Sequence, residues 1–485
     1  MYSALVKNWN EAGGQDHIQA ISIENAGVTG EKMADSRGAV LKGKQIDMTE
    51  GVIWKQLLLF SIPLILSELF QQMYNTADSI IVGNFVSKQA LAAVGATSNV
   101  INVIIGFFIG FSSGATVVIA RFFGARQENE LKRAIHTTIL FTLILGVIFT
   151  GVGILGTPLM LELLGTPQDV YTVAKTYLQI YFSGISALVM YIMCTGILRA
   201  IGDSRSPLYV LVLTSIINVV LDLIFILVFH MGVAGAAWAT VIAQVCSCVF
   251  LIIRLCNAGD SYRLELACLR IDKPLLVQVI GIGLPIGLQR SIIAFSNTIV
   301  LSFINRFGSG AMAGWSVHSR LDQIITKTSQ SLSVATTTFV SQNIGADKRD
   351  RVKKGVRAAL YLAFASTCIY AVFFVGLNEP LIRLFNRDPD VLYYGKIIIT
   401  VLAPMQLINT FGQIQAGALR GQGDSKAPMF IMLFSHVILR QIYLNIGWNY
   451  SQTMYFVISC YPVGWLFSCI IIALYTRMKN KHEYY

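Results

Sequence analysis

Apolar residues in this chain come in long unbroken runs rather than in the spaced stripe of a soluble amphipathic helix. A membrane-crossing helix needs ~20 mostly apolar residues, and windows of that kind recur from about residue 56 onward. They predict twelve helical spans, near 57–82, 94–120, 136–159, 172–197, 208–229, 233–256, 277–303, 313–340, 356–377, 393–417, 428–447 and 453–475. Residues 1–47 are polar, contain glycine and have no apolar run of their own, so they are expected to be disordered. Met48 opens MTEGVIWKQLLLF and has the look of a natural start just before the first span, which would make the extension a start-site artefact.

Composition agrees with the pattern. Of the 485 residues, 54% are hydrophobic and 13% charged, where a soluble protein carries about a quarter charged. Too few polar residues remain to cover a soluble surface of this size. The expected fold class is therefore an all-α integral membrane protein. The net charge of +11 reads as a topology signal. Arg121, Arg126, Lys132 and Arg133 follow the second span, and Arg254, Arg263, Arg270 and Lys273 follow the sixth. Lys348, Arg349, Arg351, Lys353, Lys354 and Arg357 follow the eighth, and the opposite loops are nearly bare. Lys and Arg mark the cytoplasmic side, so both termini are expected inside a cell membrane. Charges scattered through short loops do not form the single basic face of a nucleic-acid binder. The eight Cys lack metal or redox spacing and read as small apolar fillers.

The chain repeats itself. Pro63 returns as Pro285, displaced by 222, and Gly124 returns as Gly345, displaced by 221. LRAIGDSRSP (198–207) returns as LRGQGDSKAP (419–428), again displaced by 221. Two six-helix bundles in one orientation follow: a first lobe over 48–256, a linker over 257–276, a second lobe over 277–476 and a tail over 477–485. Transporters built from two repeats place their substrate site between them. The GD turns read as structural, with Gly202 and Gly423 making a tight turn and Asp203 and Asp424 capping the next helix. Gly106, Gly110 and Gly114 form a double GxxxG in the second span, a surface for close helix packing.

Ionisable groups inside spans cost roughly 2.5–3.5 kcal/mol on insertion scales and point to function. In QQMYNTADSII (71–81), Gln71, Tyr74, Asn75 and Asp78 fall at three- and four-residue spacing, on one helix face. Lipid offers that stripe no partners, so it must face protein or a wet cavity. Tyr74, one turn from Asp78, is placed to hydrogen-bond its carboxylate. Burial disfavours a charged carboxylate, and the stripe reads as a proton or ion site. Asn218 and Asp222 share a face of the fifth span, and Thr240 lies in the sixth. The second half lacks equivalents: Val300 stands where Asp78 would repeat, and Leu439 and Tyr443 where Asn218 and Asp222 would. Its own charges are Arg290, Arg320, Asp322, Lys327 and Arg440. Arg320, Asp322 and Arg440 read as an interhelical salt-bridge network. Lys327 has no evident mate, and with Arg290 it suggests a cationic cavity for anionic or zwitterionic cargo.

The paired LRxxGDSxxP turns, the Gly-Ala loops after spans two and eight, and YNTADSIIVG after an early Ile-Pro together resemble the multidrug and toxic compound extrusion (MATE) family over roughly 50–478, most closely its DinF-like prokaryotic branch. The resemblance implies a V-shaped fold of twelve helices and cation-coupled export of drugs or metabolites. It carries the family's coupling residues onto Asp78, Asn218, Asp222, Tyr74 and Thr240. Gln71, Asn75, Arg290, Lys327 and Asn409 are the substrate-cavity candidates. Where the NorM branch has acids in the seventh and tenth helices, this chain has Ile293 and Asn409. That favours proton over sodium coupling. No other cofactor is expected, and the expected partners are the lipid bilayer and a small-molecule substrate, with no nucleic acid and no obligate protein partner. A lipid-linked precursor flippase is the rival reading, carried by Arg290, Lys327 and Arg440. GFSSG (110–114) matches the serine-hydrolase GxSxG but lies within a helix rather than at a strand–helix elbow, and no P-loop is present, so neither an enzyme nor an ATP-driven pump is expected.

Overall fold

The structure, a computed structural model, describes residues 45–482, without the side chains of 88–92, 96, 98, 99 and 480–482. Most of the amino-terminal extension (1–44) and the last three tail residues thus lie outside the described residues. The described residues are mostly helical. The long elements are α1 (Ile53–Phe85), α2 (Lys88–Gly124), α3 (Glu128–Leu163), α4 (Gln168–Ser183 and Ile185–Ala200), α5 (Arg205–Leu223, continued by a π turn, Ile224–Val228) and α6 (Gly232–Cys256). After the linker come α7 (Lys273–Asn305), α8 (Ser309–Gly345), α9 (Arg349–Gly376), α10 (Pro389–Gly421), α11 (Lys426–Gly447, with its own π turn, Phe434–Leu439) and α12 (Met454–His482). A short helix, Asn378–Phe385, joins α9 to α10.

Among the described residues, ten helices are long and apolar enough to cross a membrane, and the two pieces of α4, bent by 49°, make an eleventh span. The missing member of the predicted twelve is α8. It has 37 residues but is too rich in Ser, Thr and Gln to pass on apolarity. The reason is its position. Ser329, Thr336, Thr337, Thr338, Ser341 and Gln342 are all buried in protein, and Ser329, Thr337, Ser341 and Gln342 bond to neighbouring helices rather than facing lipid.

The internal repeat extends to single hydrogen bonds. Ser112 Oγ donates to Ile192 O at 3.0 Å and Thr116 Oγ1 to Gly196 O at 3.0 Å, joining α2 to α4. The same bonds recur between α8 and α10, Ser333 Oγ to Gln413 O at 2.7 Å and Thr337 Oγ1 to Gly417 O at 2.9 Å. Each of the four positions is displaced by 221 from its counterpart. The GD turns match too. Gly202 and Gly423 both have φ +87°, a conformation that suits glycine. Asp203 Oδ1 accepts from Arg205 N and Ser206 N, and Asp424 Oδ1 from Ala427 N. Burial opposes charge on Asp424, but hydrogen bonds from Tyr475, Lys479 and the Ala427 N–H outweigh it and hold this loop carboxyl below the usual range.

The two halves meet at one end of the bundle, the end that carries the linker. A Cβ on Gly110 or Gly114 would collide with the backbone of α7 at Gly287 or Gly283, so the double GxxxG does serve a close helix–helix approach. Apolar residues of α2, α3, α4 and α6 pack with Leu275 and Val279 of α7. Met48, Leu57, Phe60 and Leu64 pack against Leu332 and Phe339 of α8 and Ile414 of α10. Polar bonds reinforce this seam. Gln342 accepts from Met48 N at 3.1 Å and donates to Ala200 O at 2.7 Å, and Arg121 Nη2 donates to Gln422 O at 3.1 Å. Gln45 and Ile46, within the stretch read as disordered, are also held, by Tyr262 and by Gly202 O. At the opposite end each apolar cluster belongs to one half: Ile81, Phe108, Tyr177 and Val233 in the first; Val300, Leu402 and Trp465, and Val317, Phe374 and Ile382, in the second. Packing across the halves at one end only leaves a cleft between them at the other.

A Gly110→Val variant should therefore lose several degrees of melting temperature in detergent, since overpacking costs about 1–3 kcal/mol. Gly106→Ala should be tolerated, because its Cβ would meet only Arg290 Cβ, at 3.8 Å. Equal melting of both variants would contradict the close α2–α7 crossing.

Candidate functional site

The acid stripe of α1 divides. Tyr74 and Asp78 turn into the first half, whereas Gln71 is half-buried and Asn75 exposed on the other edge of the stripe. Gln71 Nε2 donates to Asn75 Oδ1 at 3.4 Å, and neither residue joins the acid cluster. On α5, Asn218 and Asp222 are one turn apart and wholly buried, and Thr240 of α6 is nearly so. With its amide oriented to satisfy both neighbours, Asn218 donates to Asp222 Oδ2 at 3.0 Å and accepts from Thr240 N at 3.2 Å. The Asp222 and Asp78 carboxyl groups are in hydrogen-bond contact. Asp222 stands two residues before the π turn Ile224–Val228, a local irregularity that recurs at functional sites.

Among the described residues Tyr74 makes no hydrogen bond to Asp78; its hydroxyl lies toward Thr240 of α6, within electrostatic reach of both acids. Long helical side chains lean toward the preceding turn, so the ring of Tyr74 is carried away from the residue four positions later. Asp78 is left to meet α5 across the helix interface. Tyr177 and Tyr181 of α4, stacked at 6.3 Å, complete a phenolic wall, and Tyr177 lies within electrostatic reach of Asp78. Asp78 Oδ1 and Asp222 Oδ1 are buried and have no partner among the described residues. The cluster thus joins five residues from α1, α5 and α6, with two carboxyl groups touching and an open acceptor on each. A hydrogen bond between two carboxyl groups requires a proton on one of them. The chemistry of such an arrangement suits a proton or, with oxygen-bearing side chains around it, a small hard cation.

The second-half charges behave otherwise than expected. Among the described residues, Arg320, Asp322 and Arg440 form no ion pair. Asp322 Oδ1 accepts from Gln406 Nε2 at 2.6 Å and Oδ2 from Thr326 Oγ1 at 3.1 Å. Gln406 in turn accepts from Asn409 at 2.8 Å, which places Asn409 in a hydrogen-bonded chain of α8 and α10. Arg440 donates to Asn297 and Ser296 and lies 5.1 Å from the Tyr461 ring. Neutral amides, hydroxyls and a ring face thus surround Asp322 and Arg440 without a second buried charge.

Lys327 does have a mate: its Nζ lies 2.7 Å from Glu68 Oε2. Glu68, in SELF of α1, was missed from sequence. Its signal was present, a carboxylate in an apolar run facing an unexplained lysine. The pair joins the two halves and is partly open, with side-chain exposures of 35% for Glu68 and 42% for Lys327. Arg199 of α4 and Arg290 of α7 also act electrostatically on Glu68, and Arg420 of α10 lies within reach of Arg290.

Two homologous helical bundles joined at one end, with polar groups converging at mid-membrane, define a multi-pass membrane transporter rather than an enzyme. The family model MatE matches residues 63–224 and again 285–446, one match per half. The chain belongs to the MatE family. It is 29% identical over 390 residues to the probable multidrug resistance protein YoeA of Bacillus subtilis strain 168, covering 79% of this chain and 84% of that one. To the probable multidrug resistance protein YpnP of the same organism it is 28% identical over 403 residues, covering 82% and 89%. A solved structure described as the outward-facing conformation of a multidrug resistance MATE family transporter of the MOP superfamily shares the fold, with a TM-score of 0.84 at 23% identity over 90% of this chain and 98% of that one.

Replacing Lys327 by Gln strands the Glu68 carboxylate between the halves. Lys327→Gln should lower the melting temperature more than the double variant Glu68→Gln/Lys327→Gln, with a coupling of about 1 kcal/mol for a partly exposed pair. Additive effects in the four-variant cycle would mean the two groups do not interact.

Proposed function

We propose that this chain is a secondary antiporter of the cell membrane that exports small amphipathic drugs or metabolites against an inward flow of protons. Export of drugs is supported by its family and by the multidrug resistance proteins it resembles. The DinF-like branch is favoured by Ile293 and Asn409, where the NorM branch has acids. The observation that carries the coupling is the contact between Asp78 and Asp222 at the end of an otherwise neutral polar chain, Tyr74–Thr240–Asn218. One proton entering this pair changes its charge at a place where lipid and protein supply no countercharge. Sodium would meet the same oxygen ligands.

The Lys and Arg bias puts the linker end in the cytoplasm, so the halves close on the inside and the cleft opens outward. In the cycle we propose, a deprotonated pair favours this outward-open form. Taking up a proton from outside reshapes the α1–α5 contact and releases cargo outward. Opening to the cytoplasm with the proton bound lets the proton leave inside. The driving force is the proton gradient, and the substrate path is the cleft between the halves. The flippase alternative keeps Arg290 and Lys327 but loses Arg440, which is buried within the second half, and it gives the Asp78–Asp222 pair no role.

In everted vesicles carrying a pH gradient, addition of a transported dye should release protons from vesicles with wild-type protein. Asp78→Asn and Asp222→Asn should each abolish that release at normal expression levels. Unaltered dye transport in both variants would make the two acids structural.

A further inference from the structure

The first-half acid cluster leaves unexplained a second gathering of charge, between the halves rather than within one. Glu68 of α1 and Lys327 of α8 form its centre, with N···O at 2.7 Å. Both lie near the middle of their helices, Ile53–Phe85 and Ser309–Gly345. Arg199 and Arg290 converge electrostatically on the same carboxylate, and Arg420 stands beside Arg290. Three cations, from α4, α7 and α8 and from both halves, thus act on a single carboxylate, and a fourth, Arg420, stands beside one of them. Arg420 spends one donor on Gln289 Oε1 at 3.2 Å. The Nε atoms of Arg199 and Arg420 are buried without a partner. The two partners of the central ion pair keep 35% and 42% of their side chains exposed. At this depth a group that faces lipid would find no water, so that exposure belongs to the cleft.

We infer that this cluster is the cargo's anion subsite: it takes the carboxylate, sulfonate or phosphate of an amphipathic anion or zwitterion, and Glu68 is the tethered group that occupies the site when cargo is absent. The inference rests on the export reading above only for the direction of transport. An excess of guanidinium and ammonium over carboxylate favours an anion, and free guanidinium N–H donors suit its oxygens. The ligand's anionic head displaces Glu68 from Lys327. Glu68 then sets the affinity, because a built-in competitor must be moved before a ligand binds. Cationic cargo, in contrast, would face four like charges.

The test uses two dyes on one xanthene scaffold, anionic fluorescein and cationic rhodamine 6G, binding to the full chain in detergent by fluorescence anisotropy. Wild type should bind fluorescein more tightly. Glu68→Gln should tighten fluorescein binding by about tenfold, and Lys327→Gln and Arg290→Gln should each weaken it by about tenfold, the effect of one partly screened charge at contact. Glu68→Gln removes no cation, so it keeps the test alive where a cation variant fails to fold. Arg383→Gln, which removes an exposed cation of the short helix before α10, should bind fluorescein like wild type and so controls for a general loss of positive charge. Identical fluorescein affinity in wild type, Glu68→Gln and Arg290→Gln would overturn the inference. So would tighter binding of rhodamine 6G that Glu68→Gln abolishes, which would make Glu68 a subsite for cations.

Discussion

A polar group inside a membrane-spanning helix has no partner except another helix, and this requirement organises the whole molecule. α8 is the extreme case. Its hydroxyls and amides leave it too polar to face lipid, so it is buried against α1, α9 and α10, bonding the α10 backbone and the Glu68 side chain of α1. Asp78 and Asp222 obey the same rule by touching each other, Asp322 by reaching Gln406, and Arg440 by using Asn297, Ser296 and a tyrosine ring. Each of these solutions fixes the relative position of two helices. Polar satisfaction therefore does here part of what apolar burial does in a soluble core.

The two halves use one architecture for different ends. Their serine and threonine bridges and the glycines of their GD turns recur at a constant displacement of 221, which identifies those features as framework. The acid pair does not repeat, because valine and tyrosine stand at the corresponding positions in the second half. Asymmetry on a symmetric frame is what a one-sided ion site needs: protonation alters one lobe while the other stays put. The seam of α2 against α7 and α8 closes the linker end, and Glu68–Lys327 spans the halves near the membrane centre. Movement of one lobe relative to the other must break or slide both.

Much of this was legible in the chain itself. Apolar runs located the helices, and the constant displacement of Pro63, Gly124 and the GD turns exposed the repeat. Four-residue spacing placed Asn218 and Asp222 on one face, and the double GxxxG marked a close crossing whose partner proved to be α7. What was not legible depends on contacts between distant helices. Spacing along α1 placed Tyr74 next to Asp78, but side-chain direction sends Tyr74 to Thr240. Charges counted along the second half suggested ion pairs, whereas the fold supplies amides and hydroxyls. Lys327 looked unmatched because its counterion lies 259 residues away, beyond any local pattern. Membrane helices hide such pairings, since an apolar run fixes only that a residue is inside, not which helix it faces.

The central claim is that Asp78 and Asp222 together hold one exchangeable proton whose loss and gain drive the transport cycle. Infrared difference spectroscopy of the protein in proteoliposomes, with and without a transported dye, tests it most directly. The account predicts a protonated-carboxyl C=O band that changes on dye addition and is missing from both Asp78→Asn and Asp222→Asn. A dye-induced band that persists unchanged in both variants, or no carboxyl response in wild type during active transport, would contradict it.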